Sequence, residues 1–358
     1  MKPMIGVLLD QGTWRGIPWR RTGHEKISYY DKAAQKLNVK IVYFPLSQVL
    51  PDRNRVKGYI LDRGNYRLVE RLIPPVIHNR SMSANTAMGR KRQALTKRIL
   101  FNERTRYSKY HIHRILAKKS SLHPHLPHTE PFSKQKLDKM MRRIDSIYVK
   151  PVSSSIGRGI FRLERTDQQL WTIQGPGNRK TKRSAKIYPY LKQKTQGKDY
   201  LLQETIPLAH YKGKPFDIRV SVQKSGNGEW QVTGMVGKVA AKGSHVTNVA
   251  RGGKVKRCEE LFKACGLDVE KTKREIEKVS IKVAKQLGKS LRNLADVGLD
   301  MGIDSQGKPY FIEMNGRDLR YSFRNGNLMT QWYKTYEHPI RYGMYLLKQV
   351  KRKLTQKT

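Results

Sequence analysis

Hydrophobic positions along the chain switch between a period of two and a period near 3.6, and the switches mark out its elements. Residues 4–10 (Met-Ile-Gly-Val-Leu-Leu-Asp) read as a buried strand, followed by a Gly/Trp/Arg loop, a helix near 28–37 and a second strand from Val39 to Phe44. That β–α–β opening predicts a small parallel sheet of the doubly wound kind. Lys57 to Ile73 reads as a hairpin turning at Asp62-Arg63-Gly64-Asn65, and Pro74 to Arg80 as another strand and its exit. Residues 1–100 thus form an N-terminal α/β module, with no Gly-rich dinucleotide fingerprint. Helices are expected over 106–118 and about 133–143, and the second is followed by a strand ending at Tyr148-Val149-Lys150. Further strands are expected at Leu201–Ile206, Pro215–Val222 and Trp230–Val239. The clearest helical stripe is Ile276, Val279, Val283 and Leu287, in a helix from Val269 to Leu291. A last helix, about 328–353, ends in a basic tail.

The stretch from Val297 to Asn315 carries the densest candidate chemistry. Two alternating runs flank Ser305-Gln306-Gly307-Lys308, which reads as a hairpin. With Asp304 opposite Pro309, Asp300 faces Glu313, Met301 faces Ile312 and Leu299 faces Met314. Leu299, Met301, Ile303, Tyr310, Ile312 and Met314 then share an apolar face, and Asp300, Glu313 and Asn315 share the other. Facing carboxylates repel unless a cation sits beside them. Hard oxygen donors suit Mg²⁺, which takes one or two carboxylates plus substrate phosphates. A solvated, charged strand face accounts for the hairpin alone equally well.

Composition adds one outlying number, a formal charge of +45 over 358 residues. It raises the expectation of a polyanionic partner: nucleic acid, an anionic polymer, an acidic protein or a membrane surface. The basic residues are spread along the chain, which favours a broadly positive surface over one nucleic-acid-binding arm. Cys258 and Cys265 read as reduced, structural residues. The N-terminal apolar run is too short for a signal peptide and no stretch is long enough to span a bilayer, so a cytoplasmic protein is expected. His123, His125 and His128 lie in a Pro-rich loop at alternating spacing with no nearby cysteine, and read as loop histidines more readily than as zinc ligands.

Between Lys150 and Phe161 runs Pro-Val-Ser-Ser-Ser-Ile-Gly-Arg-Gly-Ile, a Ser/Gly loop between strands. Its glycines let backbone approach an anion, and its hydroxyl and N–H groups can bond phosphate oxygens. Lys150 supplies a point charge at the strand end. It is not a Walker loop, because the order of Lys and Gly is reversed and no helix follows. Residues 171–199 are basic; they read either as a solvated loop with a strand or helix beyond it, or as a lip for an acidic substrate. Asp217 and Arg219 share one face of their strand, and Thr247 to Gly253 is a donor-rich loop.

The order of these motifs is Lys-Pro with a Ser/Gly loop, Gln203-Glu204-Thr205-Ile206, Asp217-Ile218-Arg219, Thr247-Asn248-Val249-Ala250-Arg251-Gly252-Gly253, a helix, then Asp300 and Glu313-Met314-Asn315. It resembles the ATP-grasp fold, and within it carboxylate–amine ligases of the glutamate-ligase type. Gly316-Arg317-Asp318-Leu319-Arg320-Tyr321-Ser322-Phe323-Arg324 is similar to the YheC/YheD family of endospore-coat-associated ATP-grasp proteins. The resemblance covers roughly residues 105–345. It implies an α/β (α+β) ATP-grasp fold with an N-terminal pre-ATP-grasp α/β domain. The implied units are 1–104, the N-terminal domain; 105–200, with Lys150 and the flap; 201–345, with hinge and metal site; and 346–358, a basic tail.

The resemblance also implies roles. Lys150 and Lys109 would contact phosphates of ATP. The flap would run from Ser153 to Gly159 and include Ser154, Ser155 and Gly157. Gln203, Glu204 and Ile206 would line the adenine and ribose pocket, and Asn248 would lie near the phosphates. Arg219 would meet the γ-phosphate, and Asp300, Glu313 and Asn315 would hold Mg²⁺, two ions being expected. The implied activity is an ATP-dependent ligation through an acyl phosphate. Its expected substrate is an acidic protein, peptide or polymer, and its expected setting the mother-cell cytoplasm during spore coat formation, with coat proteins as partners. The alternative is a non-catalytic coat scaffold that keeps the fold. Specific nucleic-acid binding rests on charge alone and finds no groove-reading helix or stacking aromatics. Two departures stand out: Gly316-Arg317-Asp318 replaces the small residue and Pro-Gly usual after Glu-x-Asn, and Lys238 stands where many relatives carry Arg.

Overall fold

The computed structural model describes residues 2–82, 89–153, 159–244, 247 and 252–356. They build three sheets. In the first, Met4–Leu9 lies parallel to Lys40–Pro45 and to Val76–Asn79, which in turn is parallel to Ile99–Phe101. Helix Ile27–Lys36 links the first two strands, as the β–α–β pattern predicts. The hairpin Arg55–Asp62 with Asn65–Leu72 hangs antiparallel on the Lys40–Pro45 edge. Its turn places Arg63 at φ 47° and Gly64 at φ 84°, the double left-handed geometry of a two-residue hairpin loop.

The second sheet is antiparallel, in the order Asn178–Arg183, Leu170–Gly175, Phe161–Arg165, Ser146–Pro151, Tyr200–Glu204, Thr129–Pro131. Helices Lys134–Met141 and Ile187–Thr195 cover one face, burying Leu137, Met140, Ile187 and Leu191 against Ile147, Val149, Trp171 and Leu202. The basic segment 171–199 is therefore a strand, a tight turn, an edge strand and a helix. Trp171 and Ile173 alternate inward and pin the first of these strands to the core.

The third sheet runs Lys254–Lys256, Trp230–Val239, Lys214–Lys224, Asp296–Ile303, Pro309–Asn315. Helix Val269–Ser290, capped by the Asp268 carboxylate, lays Ile276, Val279, Val283 and Leu287 onto Val220, Val222, Leu299 and Met301. Each fully buried side chain of this size stabilises the fold by about 1.5–3 kcal/mol. Helix Lys109–Ala117 joins the same core through Ile112, Ile115 and Leu116. The last helix, Met329–Thr355, packs on the first sheet and on helix Ile27–Lys36, where Tyr29 meets Trp332 and Tyr336 edge-on. The expected tail 346–358 thus continues this helix to Thr355, with Leu347 buried. No helix among the described residues is long and apolar enough to cross a membrane.

A buried polar joint ties the first sheet to the third. Asp296 accepts from Arg320, faces the His78 ring at 3.2 Å and Arg80 at 3.5 Å, and accepts from Gln223 at 2.8 Å. Arg80 also grips Glu25 through two nitrogens and donates to the Asp318 carbonyl at 2.6 Å. Arg317 also reaches Glu25 at 3.6 Å, so three guanidiniums face these two carboxylates. Burial pushes the His78 imidazole down to about 4, and the neighbouring guanidiniums act in the same direction while Asp296 opposes them, so His78 is neutral. Asn102 completes the joint, its side-chain oxygen accepting from the Ala295 and Asp296 N–H groups and its amide donating to Gly316 O at 3.1 Å. The network fixes the loop that leaves Asn315.

Candidate functional site

The hairpin Asp296–Ile303 with Pro309–Asn315 forms where expected, and Asp300 stands opposite Glu313, and Leu299 opposite Met314. The register differs beyond them. Ile303 pairs with Pro309 and Met301 with Phe311, and the slip is taken up by a bulge next to Asp300. Phe311, not Ile312, therefore enters the core. Ile312 turns to the other face, where its Cδ1 lies beside Gly302 together with Ile206 and Leu208. Four successive apolar residues, Pro309 to Ile312, left the alternation ambiguous at this point.

Asp300 sits in a cage of cations. Arg219, its cross-strand partner, donates from Nε at 2.7 Å and from a terminal nitrogen at 3.2 Å. Lys238 donates at 2.9 Å and reaches Asp217 at 3.0 Å, and Asn315 donates its amide at 3.3 Å. Burial raises the Asp300 carboxyl pKa, but Arg219 and Lys238 outweigh it and hold the group ionised, well below the usual range. Asp217 goes the other way: burial dominates and raises it. Asp318, unremarked in the sequence as a site residue, is fully buried; it takes the other arm of Arg219 at 3.0 Å and accepts from Ser221. Its one sequence signal is Gly298, where a Cβ would come within 2.8 Å of the Asp318 carboxyl.

Glu313 accepts from Lys109 at 2.5 Å. Lys109 opens helix Lys109–Ala117 behind the Ser108 cap, and its own N–H donates to Val152 O at 3.3 Å. It thus bridges the end of the second sheet to the third. A cavity of about 500 Å³ opens here, with Lys109, Ser153, Glu313 and Asn315 in its wall. Lys150 is buried on the facing sheet and donates to Gln203 Oε1 at 2.5 Å. Burial, reinforced by the Lys109 charge and opposed by Glu313, pulls the Lys150 ammonium down to about 7. Gly159 has φ 72°, and a Cβ there would meet the Tyr200 hydroxyl at 2.9 Å, so glycine is required.

The expected site residues fall into three groups. Lys109, Ser153, Glu313 and Asn315 meet at one cavity; Arg219 and Asp300 pair beside it; Lys150 and Gln203 pair on the sheet opposite. The Glu204 carboxylate accepts from the His128 N–H at 3.2 Å, while Ile206 lies over Gly302. Ser154, Ser155, Gly157 and Asn248 lie outside the described residues. The loop histidines take separate partners: His123 the Ala117 carbonyl and His125 the Pro309 carbonyl, both at 2.7 Å.

Among the described residues no three His, Cys, Asp or Glu side chains cluster as a metal site. The candidate donor set is two carboxylates and one amide, Asp300, Glu313 and Asn315. It fits a hard divalent ion that completes its shell with phosphate and water. It does not fit zinc, which wants nitrogen or sulfur.

A family model described as YheC/D-like ATP-grasp matches residues 97–346. The chain is 27% identical over 347 residues to endospore coat-associated protein YheD of Bacillus subtilis (strain 168), covering 94% of this chain and 68% of that protein. It is 20% identical over 308 residues to endospore coat-associated protein YheC of the same organism, covering 81% of this chain and 84% of that protein. Among solved structures, the VanG D-Ala:D-Ser ligase from Enterococcus faecalis aligns at a TM-score of 0.51 and 12% identity, over 96% of this chain and 100% of that one. ATP-grasp ligase PsnB, in complex with a precursor variant, Mg and ADP, aligns at 0.52 and 12% identity, over 94% and 99%. These structural likenesses show the fold. The family match takes in more than two thirds of the chain, including every residue from Lys109 to Asn315 described above, and on it the chain belongs to the YheC/D-like ATP-grasp family.

Proposed function

We propose that this chain is an ATP- and Mg²⁺-dependent carboxylate–amine ligase that works through an acyl phosphate on an acidic protein or polymer during spore coat formation. The observation that carries the reading is the convergence of Lys109, Ser153, Glu313 and Asn315 on one cavity, beside the Arg219–Asp300 pair. Lys109 and Lys150 hold phosphate oxygens of ATP, under a flap from Ser153 to Gly159 that includes Ser154, Ser155 and Gly157. Gln203, Glu204 and Ile206 bound the adenine and ribose pocket, with Asn248 near the phosphates. Arg219 steadies the transferring phosphoryl group. Asp300, Glu313 and Asn315 would hold Mg²⁺, two ions, which would offset the phosphate charge. An acceptor carboxylate oxygen attacks the γ-phosphorus as the bond to ADP breaks. An amine nitrogen then attacks the acyl carbon, phosphate leaves, and the nitrogen gives up a proton. The test is ADP formation from Mg-ATP with an oligoglutamate acceptor and a panel of amines. ADP that appears only when both are present supports the reading, and none above the ATP-only rate overturns it.

A second reading, a non-catalytic coat scaffold, is favoured by the way Arg219, Lys238 and Asn315 already satisfy both oxygens of Asp300. It predicts normal coat assembly with Lys150→Ala and Glu313→Ala.

Lys150 gives a further expectation. At pH 8 an ammonium whose pKa is about 7 is mostly neutral. Bound phosphates supply the missing opposite charge and raise the pKa, so nucleotide binding takes up close to one proton at pH 8 and almost none at pH 6. Titration calorimetry in two buffers of different ionisation enthalpy measures this. Equal heats at pH 8, or uptake that survives Lys150→Met, would rule Lys150 out.

A further inference from the structure

From Gln168 to Lys198 the chain contains no aspartate or glutamate and eight lysines or arginines. Four of them, Arg179, Lys180, Lys182 and Arg183, lie on strand Asn178–Arg183; the rest follow on the turn and helix behind it. Among the described residues none of the eight takes part in an ion pair, although Lys182 and Lys194 approach the Tyr190 ring at 5.1 and 5.9 Å. Uncompensated like charge at this density opposes folding, so it calls for a reason.

The strand is the outermost of the second sheet and pairs only with Leu170–Gly175, so one row of its backbone donors and acceptors has no sheet partner among the described residues. Its side chains alternate. Arg179 and Arg183 share the face of Thr172 and Gln174, and Lys180 and Lys182 the face of Trp171 and Ile173. Register then connects the edge to the cleft. Arg179 stands opposite Gln174, Gln174 opposite Arg162, Arg162 opposite Tyr148, and Tyr148 opposite Gln203. Opposed residues share a face, so these five side chains form a polar row across the side of the sheet that carries Lys150. Three strand spacings separate the edge from the Lys150 strand, roughly 14 Å, which about four residues of extended chain would span.

We propose that strand Asn178–Arg183, with the cationic helix behind it, is the docking surface for the acidic polypeptide that the ligase modifies, bound extended along the edge. The proposal rests on the ligase reading for the identity of the acceptor. Charge complementarity carries the choice of occupant. An added strand satisfies the open backbone row, and its alternate acidic side chains meet Arg179 and Arg183 on one face and Lys180 and Lys182 on the other. Lysines also guard sheet edges against aggregation. That role does not extend to Lys186, Lys192, Lys194 and Lys198, which lie on no strand.

The test is fluorescence anisotropy with a fluorescein-labelled deca-L-glutamate and the full chain, without nucleotide, at low and moderate salt. The variant Arg179→Gln/Lys180→Gln/Lys182→Gln/Arg183→Gln is expected to weaken binding at least tenfold. A control carrying Arg274→Gln/Lys285→Gln/Lys289→Gln/Lys348→Gln, an equal charge loss at exposed positions elsewhere, is expected to lose less than twofold. Lys192→Glu/Lys194→Glu, on the helix alone, guards against a folding defect at the edge and is expected to weaken binding at least threefold. Equal losses in the edge variant and the control reduce the effect to net charge and overturn the proposal, as does a wild-type chain that does not bind the probe. A single-stranded ten-nucleotide DNA that binds as tightly, with the same dependence on the edge, overturns the polypeptide assignment. The readout needs no turnover and no nucleotide. Docking that survives alongside absent ADP formation would separate a failed ligase reading from a failed docking surface.

Discussion

Glu313→Ala is expected to lower ATP-dependent ligation by about 10²–10³-fold, equivalent to about 2.7–4 kcal/mol in the barrier, by analogy with loss of one preorganised group at a developing charge. The side chain is one third exposed and holds Lys109 at 2.5 Å. Its removal therefore deletes a candidate metal oxygen and also frees the lysine that joins the two sheets. The effects separate by measurement. Loss of a metal ligand shows as a raised Mg²⁺ requirement, whereas loss of the Lys109 anchor alone shows as weaker nucleotide binding at saturating Mg²⁺. Glu313→Gln keeps the hydrogen-bond acceptor for Lys109 and is expected to restore the second property but not the first. Full turnover in Glu313→Ala at ordinary Mg²⁺ would remove Glu313 from the site.

Arg320→Met is expected to destabilise the protein by about 3–5 kcal/mol, the range for removing one partner of a buried ion pair. Arg320 is fully buried, pairs with Asp296 and donates to the Tyr30 hydroxyl at 2.9 Å. Without it, Asp296 keeps only Arg80 at 3.5 Å as a formal counter-charge and stays out of water. Arg324→Met, at an exposed position four residues on, is expected to change stability by less than about 0.5 kcal/mol. Urea unfolding midpoints measure both. A shift for Arg320→Met no larger than that for Arg324→Met would mean that the joint does not hold the first and third sheets together.

Much of this architecture was legible because it is local. The stripe Ile276, Val279, Val283 and Leu287 lies within one helix, and the Asp300–Glu313 pair is set by one hairpin. The bulge was not legible, since every residue from Pro309 to Ile312 could face inward. The Asp296 joint was not legible either. Its members come from positions 25, 78, 80, 102, 296 and 320, and charged residues read singly in a sequence this basic look solvated. The basic run at 178–183 hid a strand for the same reason: its alternation has no apolar side, and only pairing with Leu170–Gly175 defines it. The roles of the cleft residues came from the order of motifs, which states neighbours along the chain and leaves distances open.

The buried joint has a mechanical consequence. With Asp296, Arg80, Arg320 and Asn102 riveting the first sheet to the third, and the last helix sharing one core with both, those two parts move as a single chassis. Any opening of the cleft would then fall to the second sheet, whose strands run between Thr129 and Glu204. A guest chain held at the outer rim of that sheet would be carried along with any such movement relative to the carboxylates.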